Sequence, residues 1–556
     1  MSLSFLLSLV KNFIYMYVIK LLHLFTYFAE LLYTLFIERK GNSLISQILT
    51  ASVIGLDVYK ILVEVDVNNS LPSVSIVGLP DTAVNEAKER VRSAIKNSGF
   101  EFPNKKVIVN LAPADIKKAG SYYDLPIAIG ILSKTGIIPQ NAFKDTAFIG
   151  ELSLDGSLRA VSGVLPIAAG LKQQGIKTLI VPFENAKEAA IIQGLNVIGA
   201  ENLYSLVNHF NTAIPSHELI KPTEADLSIY QCEESEKDGY FDFKDVKGQI
   251  KAKKAMEIAA AGAHNLLMSG PPGSGKTLLA KCFSSILPPL TFDESIELTK
   301  IYSISGLVNP QRPLITKRPF RSVHHTASAV GIIGGGSNPK PGEITLAHRG
   351  VLFLDEFVEF PRAVLEVLRQ PLEDGKIVIA RAKTRLEFPS DFILLAAMNP
   401  CPCGYMGDSE KQCTCTDFQI KQYRAKLSGP LLDRIDIVID VPRLKLDELA
   451  DRNNIAAETS ADIRERVVKA RQIQLERYKG LGIYTNSELT PKLIKKYCIL
   501  DEPSIMLIKE AVKKFNLSAR AYDRLLKLSR TIADLDGSEN IRVNHIAQAV
   551  QYRSSM

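Results

Sequence analysis

Gly270, Pro271, Pro272, Gly273, Ser274, Gly275, Lys276 and Thr277 fit the pattern G-x-x-x-x-G-K-[ST]. In such a loop the backbone N–H groups close around a nucleotide's phosphates, and the following helix points its N-terminus at them. The terminal lysine reaches the β- and γ-phosphates, and the hydroxyl of Thr277 ligates Mg2+. A chance glycine-rich turn would need no particular neighbours. Here the short apolar run "HNLLMS" precedes the loop and the helical "TLLAKCFSSIL" follows it, which is the context the chemistry requires. "GVLFLDEF" supplies a second part: a buried strand ending in Asp355, placed to hold Mg2+, and Glu356, placed to polarise an attacking water. A third apolar run, "ILLAAMNP", ends in Asn399, whose amide can orient water at the γ-phosphate. The expected cofactors are ATP and Mg2+.

Four of the seven cysteines form two C-x-C pairs, Cys401 with Cys403 and Cys413 with Cys415. Four thiolates suit tetrahedral Zn2+, and Pro402 and Gly404 would bend the first pair into a ligand knuckle. Structural zinc sites more often use C-x2–4-C spacing, so a reduced thiol cluster competes with Zn2+ as the reading. Cys232, Cys282 and Cys498 are scattered and make no secreted disulfide framework. That points to a reducing, cytoplasmic setting. His324 and His325 read as structural, because no third ligand is apparent in the sequence.

These residues need a scaffold. A chain of 556 residues with 46% hydrophobic content has ample core for three or four domains, and a net charge of +7 permits nucleic-acid binding without arguing for it. Residues 44–212 alternate strand and helix. "YKILVEVDVN" and "SVSIVGLP" read as paired strands, and an amphipathic helix runs between an Asp81 N-cap and a Gly99 stop. "FIGELSLDGSLRAV" reads as a hairpin turning at Asp155-Gly156. Residues 213–243 carry prolines and acids without periodicity and read as a linker. Residues 244–440 form a second α/β unit holding the motifs, and residues 441–556 are mostly helical by period.

Residues 1–43 form a hydrophobic leader, but Lys11, Lys20 and Glu30 interrupt it well short of the roughly 20 apolar residues a spanning helix wants. A poor membrane anchor, an amphipathic partner helix and untranslated sequence are the three readings.

The order of motifs resembles the magnesium-chelatase-like branch of AAA+ ATPases, and within it the ComM/YifB family. The segments that carry the resemblance include "GLPDTAVNEAKERVRSAIKNSGFEFPNKKVIVNLAPAD", "FKDVKGQIKAKKAMEIAAAGAHNLLMSGPPGSGKT", "RPFRSVHHTASAVGIIGGGSNPKPGEITLAHRGVLFLDEF" and "SGPLLDRIDI". The resemblance runs from about residue 44 to the C-terminus. It implies a central AAA+ P-loop α/β domain, a C-terminal helical lid, and an N-terminal α/β domain similar to the Lon protease domain (ribosomal S5-like).

Asn399 then resembles a sensor-1 residue, Arg434 an arginine finger acting on a neighbour's nucleotide, and Arg520 a sensor-2 arginine. Either arginine taken alone would read as a surface charge or a salt-bridge member. The implied protein is a homo-hexameric ring motor acting on single-stranded or branched DNA, in branch migration during natural transformation and recombination. A chelatase motor subunit working on a porphyrin and a Lon-like ATP-dependent protease are the alternatives. "AGSYYDLPIA" sets Asp124 about where a nucleophilic serine would stand, with Ser121 nearby, so a non-proteolytic scaffold is expected. The glycines Gly334, Gly335 and Gly336, flanked by Arg318, Arg321 and Lys340, read either as a hairpin touching DNA phosphates or as a hairpin packing on a neighbouring subunit. Family members begin near "MISQILTASVIG", and this chain reads "LISQILTASVIG" from Leu44. Residues 1–43 are therefore expected to be untranslated, with a UUG start at Leu44, and no membrane partner is expected unless that leader is real.

Overall fold

The computed structural model describes residues 45–211, 219–226, 241–336, 339–380, 385–444, 458–515 and 517–553. The hydrophobic leader lies outside these residues, as does most of the expected linker.

Strands β1 (Ser46–Ile54), β2 (Asp57–Asn68), β3 (Ser73–Val77), β4 (Lys106–Ala112), β5 (Thr146–Phe148), β8 (Thr178–Pro182) and β9 (Asn196–Ala200) build the first sheet, in the order β3-β4-β2-β1-β5-β8-β9. The short strands β6 (Glu151–Leu152) and β7 (Leu158–Arg159) form the expected hairpin beside it, with Gly156 at φ +89° in its turn. Along β1 the side chains alternate: Ile48 faces one core, while Leu49, Ala51 and Val53 face the other. Helices therefore cover both faces. The helix Thr82–Asn97 starts where Asp81 accepts a hydrogen bond from the Val84 N–H at 2.9 Å, and the chain turns away at Gly99. It buries Val84, Ala87, Val91, Ala94 and Ile95, each buried aliphatic side chain being worth about 1.5–3 kcal/mol.

The pairing expected between "YKILVEVDVN" and "SVSIVGLP" does not form. β4 inserts between them, antiparallel to β2 and parallel to β3. β3, the helix Thr82–Asn97 and β4 make a β–helix–β crossover, and the returning strand takes the place a hairpin partner would have had.

The second sheet holds β10 (Leu266–Ser269), β11 (Phe320–Val323), β14 (Val351–Leu354), β17 (Ile393–Met398) and β18 (Ile437–Asp440). All neighbours are parallel, in the order β11-β14-β17-β10-β18. β10 and β14 are buried along their whole length, which explains their unbroken apolar runs. Two-residue strands β12 (Gly334–Gly335) and β13 (Lys340–Pro341) form a small hairpin, and β15 (Lys376–Ala380) with β16 (Arg385–Pro389) a larger one. The C-terminal helices Ser460–Arg477, Glu502–Phe515, Ala519–Leu535 and Val543–Gln551 bury Ile463, Val467, Ile508, Leu525, Ile532 and Ile546 in the core beneath this sheet. Beyond the last of them, the carbonyl of Tyr552 accepts a hydrogen bond from the Val438 N–H at 2.8 Å, covering the β18 edge. The helix Phe292–Ser305 joins the two sheets' layers: the Ser303 hydroxyl donates to Glu188 at 2.5 Å, and its carbonyl accepts from Gly163 N–H at 3.0 Å. No helix among the described residues is long and apolar enough to cross a membrane.

Candidate active site

β10 delivers the loop Gly270–Gly275, and the helix Lys276–Phe283 follows at once. Gly270 is required by close approach, since a Cβ there would stand 2.2 Å from the Val441 carbonyl oxygen. Gly275 caps the helix at φ +89°, a left-handed backbone that glycine adopts without strain. Lys276 is 9% exposed, and its ammonium donates to the carbonyls of Gly270 at 2.7 Å and Pro271 at 2.9 Å. Burial lowers its pKa, with Asp355 pulling the other way. The Ser274 hydroxyl is buried without a protein partner, the kind of group an oxyanion in the loop would satisfy.

Because β10, β14 and β17 run parallel, their carboxyl ends meet at one edge of the sheet, where ligands of open α/β sheets gather. There Thr277 Oγ1 donates to Asp355 Oδ2 at 2.9 Å, and Asn399 Oδ1 lies 3.5 Å from Lys276 Nζ. The residues present fit ATP with Mg2+: a glycine-lined cradle, an unpartnered hydroxyl, a buried ammonium and a hydroxyl–carboxylate pair. Glu356 sits at φ +53° beside Asp355, and its Oε2 is 2.9 Å from His325 Nδ1. The sequence suggested no third group for the two histidines. In the fold, ligand-capable atoms of His324, His325 and Glu356 lie within 4.8 Å of one another.

Arg434 and Arg520 are placed elsewhere. Arg434 precedes β18, whose Ile437 is in register with Leu266 at the start of β10, so it lies at the amino-terminal edge of the sheet. About 10 Å of strand separates that edge from the phosphate loop. Asn265 clamps this end, donating its backbone N–H to Asp436 at 2.9 Å and its side-chain amide to the Arg434 carbonyl at 3.0 Å. The Arg434 guanidinium is nearly buried, pairs with Glu373, and donates to the Pro430 carbonyl at 2.6 Å. Burial lowers its pKa, and the positive charges of Arg520, Arg369 and Arg524 lower it further. Arg520, more than half exposed, donates to the same Glu373 at 2.9 Å. The structure thus brings Arg434 and Arg520 to each other and not to Lys276 of their own chain.

Cys401, Cys403, Cys413 and Cys415 converge, with Sγ–Sγ separations of 3.4, 3.6 and 3.7 Å. A tetrahedron of sulfurs about 2.3 Å from Zn2+ has edges of about 3.8 Å, so the donor set fits that ion. Backbone N–H groups of Tyr405 and Thr414 bring the Cys403 thiol down to about 5. The loop bearing the cysteines packs on the phosphate loop: a Cβ on Gly404 would stand 2.8 Å from Pro272 Cδ. Arg443, just past β18, pairs with Asp408 at 3.3 Å and Glu410 at 3.1 Å and donates to the Pro272 carbonyl at 3.4 Å. Neither Arg443 nor Glu373 carries a motif, and sequence reasoning missed both.

Two of the basic residues assigned to the glycine hairpin are occupied. Arg318 is mostly withdrawn from solvent, donating to Glu294 at 3.0 Å and to the carbonyls of Pro288 and Arg349 at 2.7 Å. Arg321 grips Glu343 at 2.6 and 2.8 Å. Lys340, on β13, is exposed. In the first sheet's layer Asp124 is fully buried and held bidentately by Arg90 at 2.7 and 3.0 Å. Burial raises its pKa against the pull of Arg90. Ser121 donates to Glu151, and the buried Lys118 ammonium to the Pro113 carbonyl.

Comparison with known proteins agrees along the chain. Residues 242–449 match the family described as magnesium chelatase, subunit ChlI; residues 63–185 match subunit ChlI of Mg-chelatase, and residues 457–553 the ChlI C-terminal family. Competence protein ComM of Haemophilus influenzae is 43% identical over 505 residues, 90% of this chain and 96% of that protein. The Escherichia coli protein YifB is 41% identical over 506 residues, 91% of this chain and 96% of its own. Lon protease 2 of Bacillus subtilis is 28% identical over 186 residues, 29% of this chain and 33% of that protein.

Proposed function

Because this chain belongs to the ComM/YifB family of magnesium-chelatase-like AAA+ ATPases, we propose that it is a homo-hexameric ring motor that drives single-stranded or branched DNA with ATP, as in branch migration during recombination. The observation that carries the ring is the separation of the two halves of the site. Lys276, Thr277, Asp355, Glu356 and Asn399 share one edge of the sheet, while Arg434 and Arg520 share Glu373 at the other. A phosphoryl-transfer site needs cationic charge opposite the leaving phosphate. Within one chain these arginines are too far to supply it; a neighbour's pair can.

Bound ATP with Mg2+ supplies the phosphoanhydride to be cleaved. Lys276 neutralises its β- and γ-phosphates from within the loop. Thr277 and Asp355 would hold the ion, replacing their mutual hydrogen bond. Glu356 takes up proton density from water, and Asn399 orients that water. The four cysteines would hold Zn2+ as a staple that fixes the loop behind Pro272. The hairpin at Gly334–Gly336 with exposed Lys340 supports a sequence-independent phosphate contact. A protease role is disfavoured by Asp124, a carboxylate locked to Arg90 where a nucleophile would stand. The experiment is ATP turnover with and without single-stranded or branched DNA, beside Lys276→Ala. Stimulation by DNA with an inert variant is expected; a DNA-indifferent ATPase that also moves no branch would overturn the reading.

A further inference from the structure

Four arginines converge at the amino-terminal edge of the second sheet, around the Arg434 guanidinium. Arg369 has Glu366 at 2.6 Å, and Arg524 has Asp436 at 2.7 Å. Arg434 and Arg520 have only Glu373 between them as an ion-pair partner among the described residues, Arg434 on Oε2 and Arg520 on Oε1. Two guanidiniums on one carboxylate leave a positive charge in excess, and Arg520, 58% exposed, presents it to solvent. The carboxylate that divides them is fixed through its backbone. Glu373 lies on the short helix Pro371–Asp374, where the Asp374 N–H donates to the Gln370 carbonyl at 2.8 Å and the Gly375 N–H to that of Pro371 at 3.0 Å. The Ser390 N–H donates to the Gly375 carbonyl at 2.8 Å and closes the base of the β15–β16 hairpin behind it. The same turn takes Arg434 at a second point, since the Arg369 carbonyl accepts from its Nε at 3.1 Å. With the Pro430 carbonyl on Nη1 at 2.6 Å, all three nitrogens of that guanidinium are engaged.

We propose that Glu373 is a positioning residue for the arginine pair: one oxygen on each guanidinium sets their spacing, so that both reach the same phosphate of a neighbouring subunit's nucleotide. Glu373 does not itself touch that phosphate, whose negative charge would repel it. It supplies orientation. An arginine acting across an interface needs that most, because its planar fork binds an oxyanion only within a narrow range of directions. This role rests on the reading of Arg434 as acting on a neighbour's nucleotide and deepens it by naming what holds the pair ready.

The test is steady-state ATP turnover by the full-length protein carrying Glu373→Ala or Glu373→Gln, alone and in equimolar mixtures with Lys276→Ala or Arg434→Ala. Glu373→Ala alone should lower kcat about three- to tenfold, the worth of a charge-assisted hydrogen bond reduced by the 43% exposure of the carboxylate. Its affinity for a fluorescent ATP analogue should not change, because the loop of its own chain is intact, and that binding also shows that the variant is folded. Glu373→Gln keeps an acceptor oxygen and should fall between wild type and alanine; if alanine fails to bind the analogue, glutamine decides by the same comparisons. Mixing then locates the defect. Lys276→Ala contributes sound arginines and Arg434→Ala a sound loop, so Glu373→Ala mixed with the first should turn over about two- to fivefold faster than mixed with the second. Equal rates or the reverse order overturn the proposal, as does an unchanged or raised kcat of Glu373→Ala alone. Lys276→Ala mixed with Arg434→Ala is the control. If that control recovers activity, the ring reading stands whatever Glu373 does; if it stays inert, the ring reading falls and this role falls with it.

Discussion

Arg520, on a C-terminal helix, hydrogen bonds Glu373 at 2.9 Å, the same carboxylate that Arg434 holds at the amino-terminal edge of the parallel sheet. Two arginines from distant parts of the chain are thereby presented as one unit, away from the nucleotide loop of that chain. Whatever they act on must approach from outside.

Mixed rings test this directly. Arg434→Ala and Lys276→Ala should each be inactive alone, because one lacks the donor and the other the acceptor. Mixed in equal amounts, about one quarter of subunit interfaces combine an intact loop with an intact arginine. Turnover should recover to about that fraction; no recovery at any mixing ratio would mean that the arginine does not act across an interface.

Metal analysis of protein purified without chelator should find one zinc per chain. Cys413→Ser should lose it and lower the melting temperature by roughly 5 °C or more, as a loss of about 2 kcal/mol would do in a unit of this size. ATP turnover should fall as well, since Gly404 and Arg443 brace Pro272 of the phosphate loop. Metal-free wild type with full activity would contradict the assignment.

Asp124→Asn takes from the half-buried Arg90 its close charge partner and leaves it Glu86 at 3.8 Å. The expected cost is about 3 kcal/mol, the low end for a broken buried pair, because Arg90 keeps some contact with water. Thermal or urea unfolding reads it. Neither protein should degrade casein, and casein cleavage by the wild type would reopen the protease reading.

Burial, with the charge of Asp391 adding and Arg349 opposing, pushes the Glu488 carboxyl up to about 7. The folded protein therefore holds this proton more tightly than the unfolded chain. Folding takes up a proton between about pH 4.5 and 7, and stability falls as pH rises through that window. Glu488→Gln removes the cost of ionisation, so its melting temperature relative to wild type should climb from pH 5 to 7.5 and then level off. A gap independent of pH would refute the shift.

The parts legible in the sequence were those whose meaning is local. The phosphate loop is a contiguous run between a strand and a helix, and Asp355 is marked by four apolar residues that end in acid. The Asp81 cap and the Gly99 stop bracket their helix for the same reason. The misread pairing of β2 with β3 is non-local, because β4 comes between them only after a helix has crossed the sheet. Arg318 and Arg321 looked free because their carboxylate partners, Glu294 and Glu343, are more than a helical turn away in sequence. Glu373 stands 61 residues from Arg434 and 147 from Arg520, and no spacing rule connects the three.

The hydrogen bond from Val438 to the Tyr552 carbonyl has a bearing on biosynthesis. β18 is an edge strand of the ATPase sheet, and its cover is made more than a hundred residues later. A ribosome still working through the C-terminal helices therefore holds a nascent sheet with one raw flank, open to mispairing with another chain. The interval before residue 552 emerges is when a ribosome-associated chaperone would matter most to this protein, and a stop codon just upstream of it should yield aggregates in place of a slower motor.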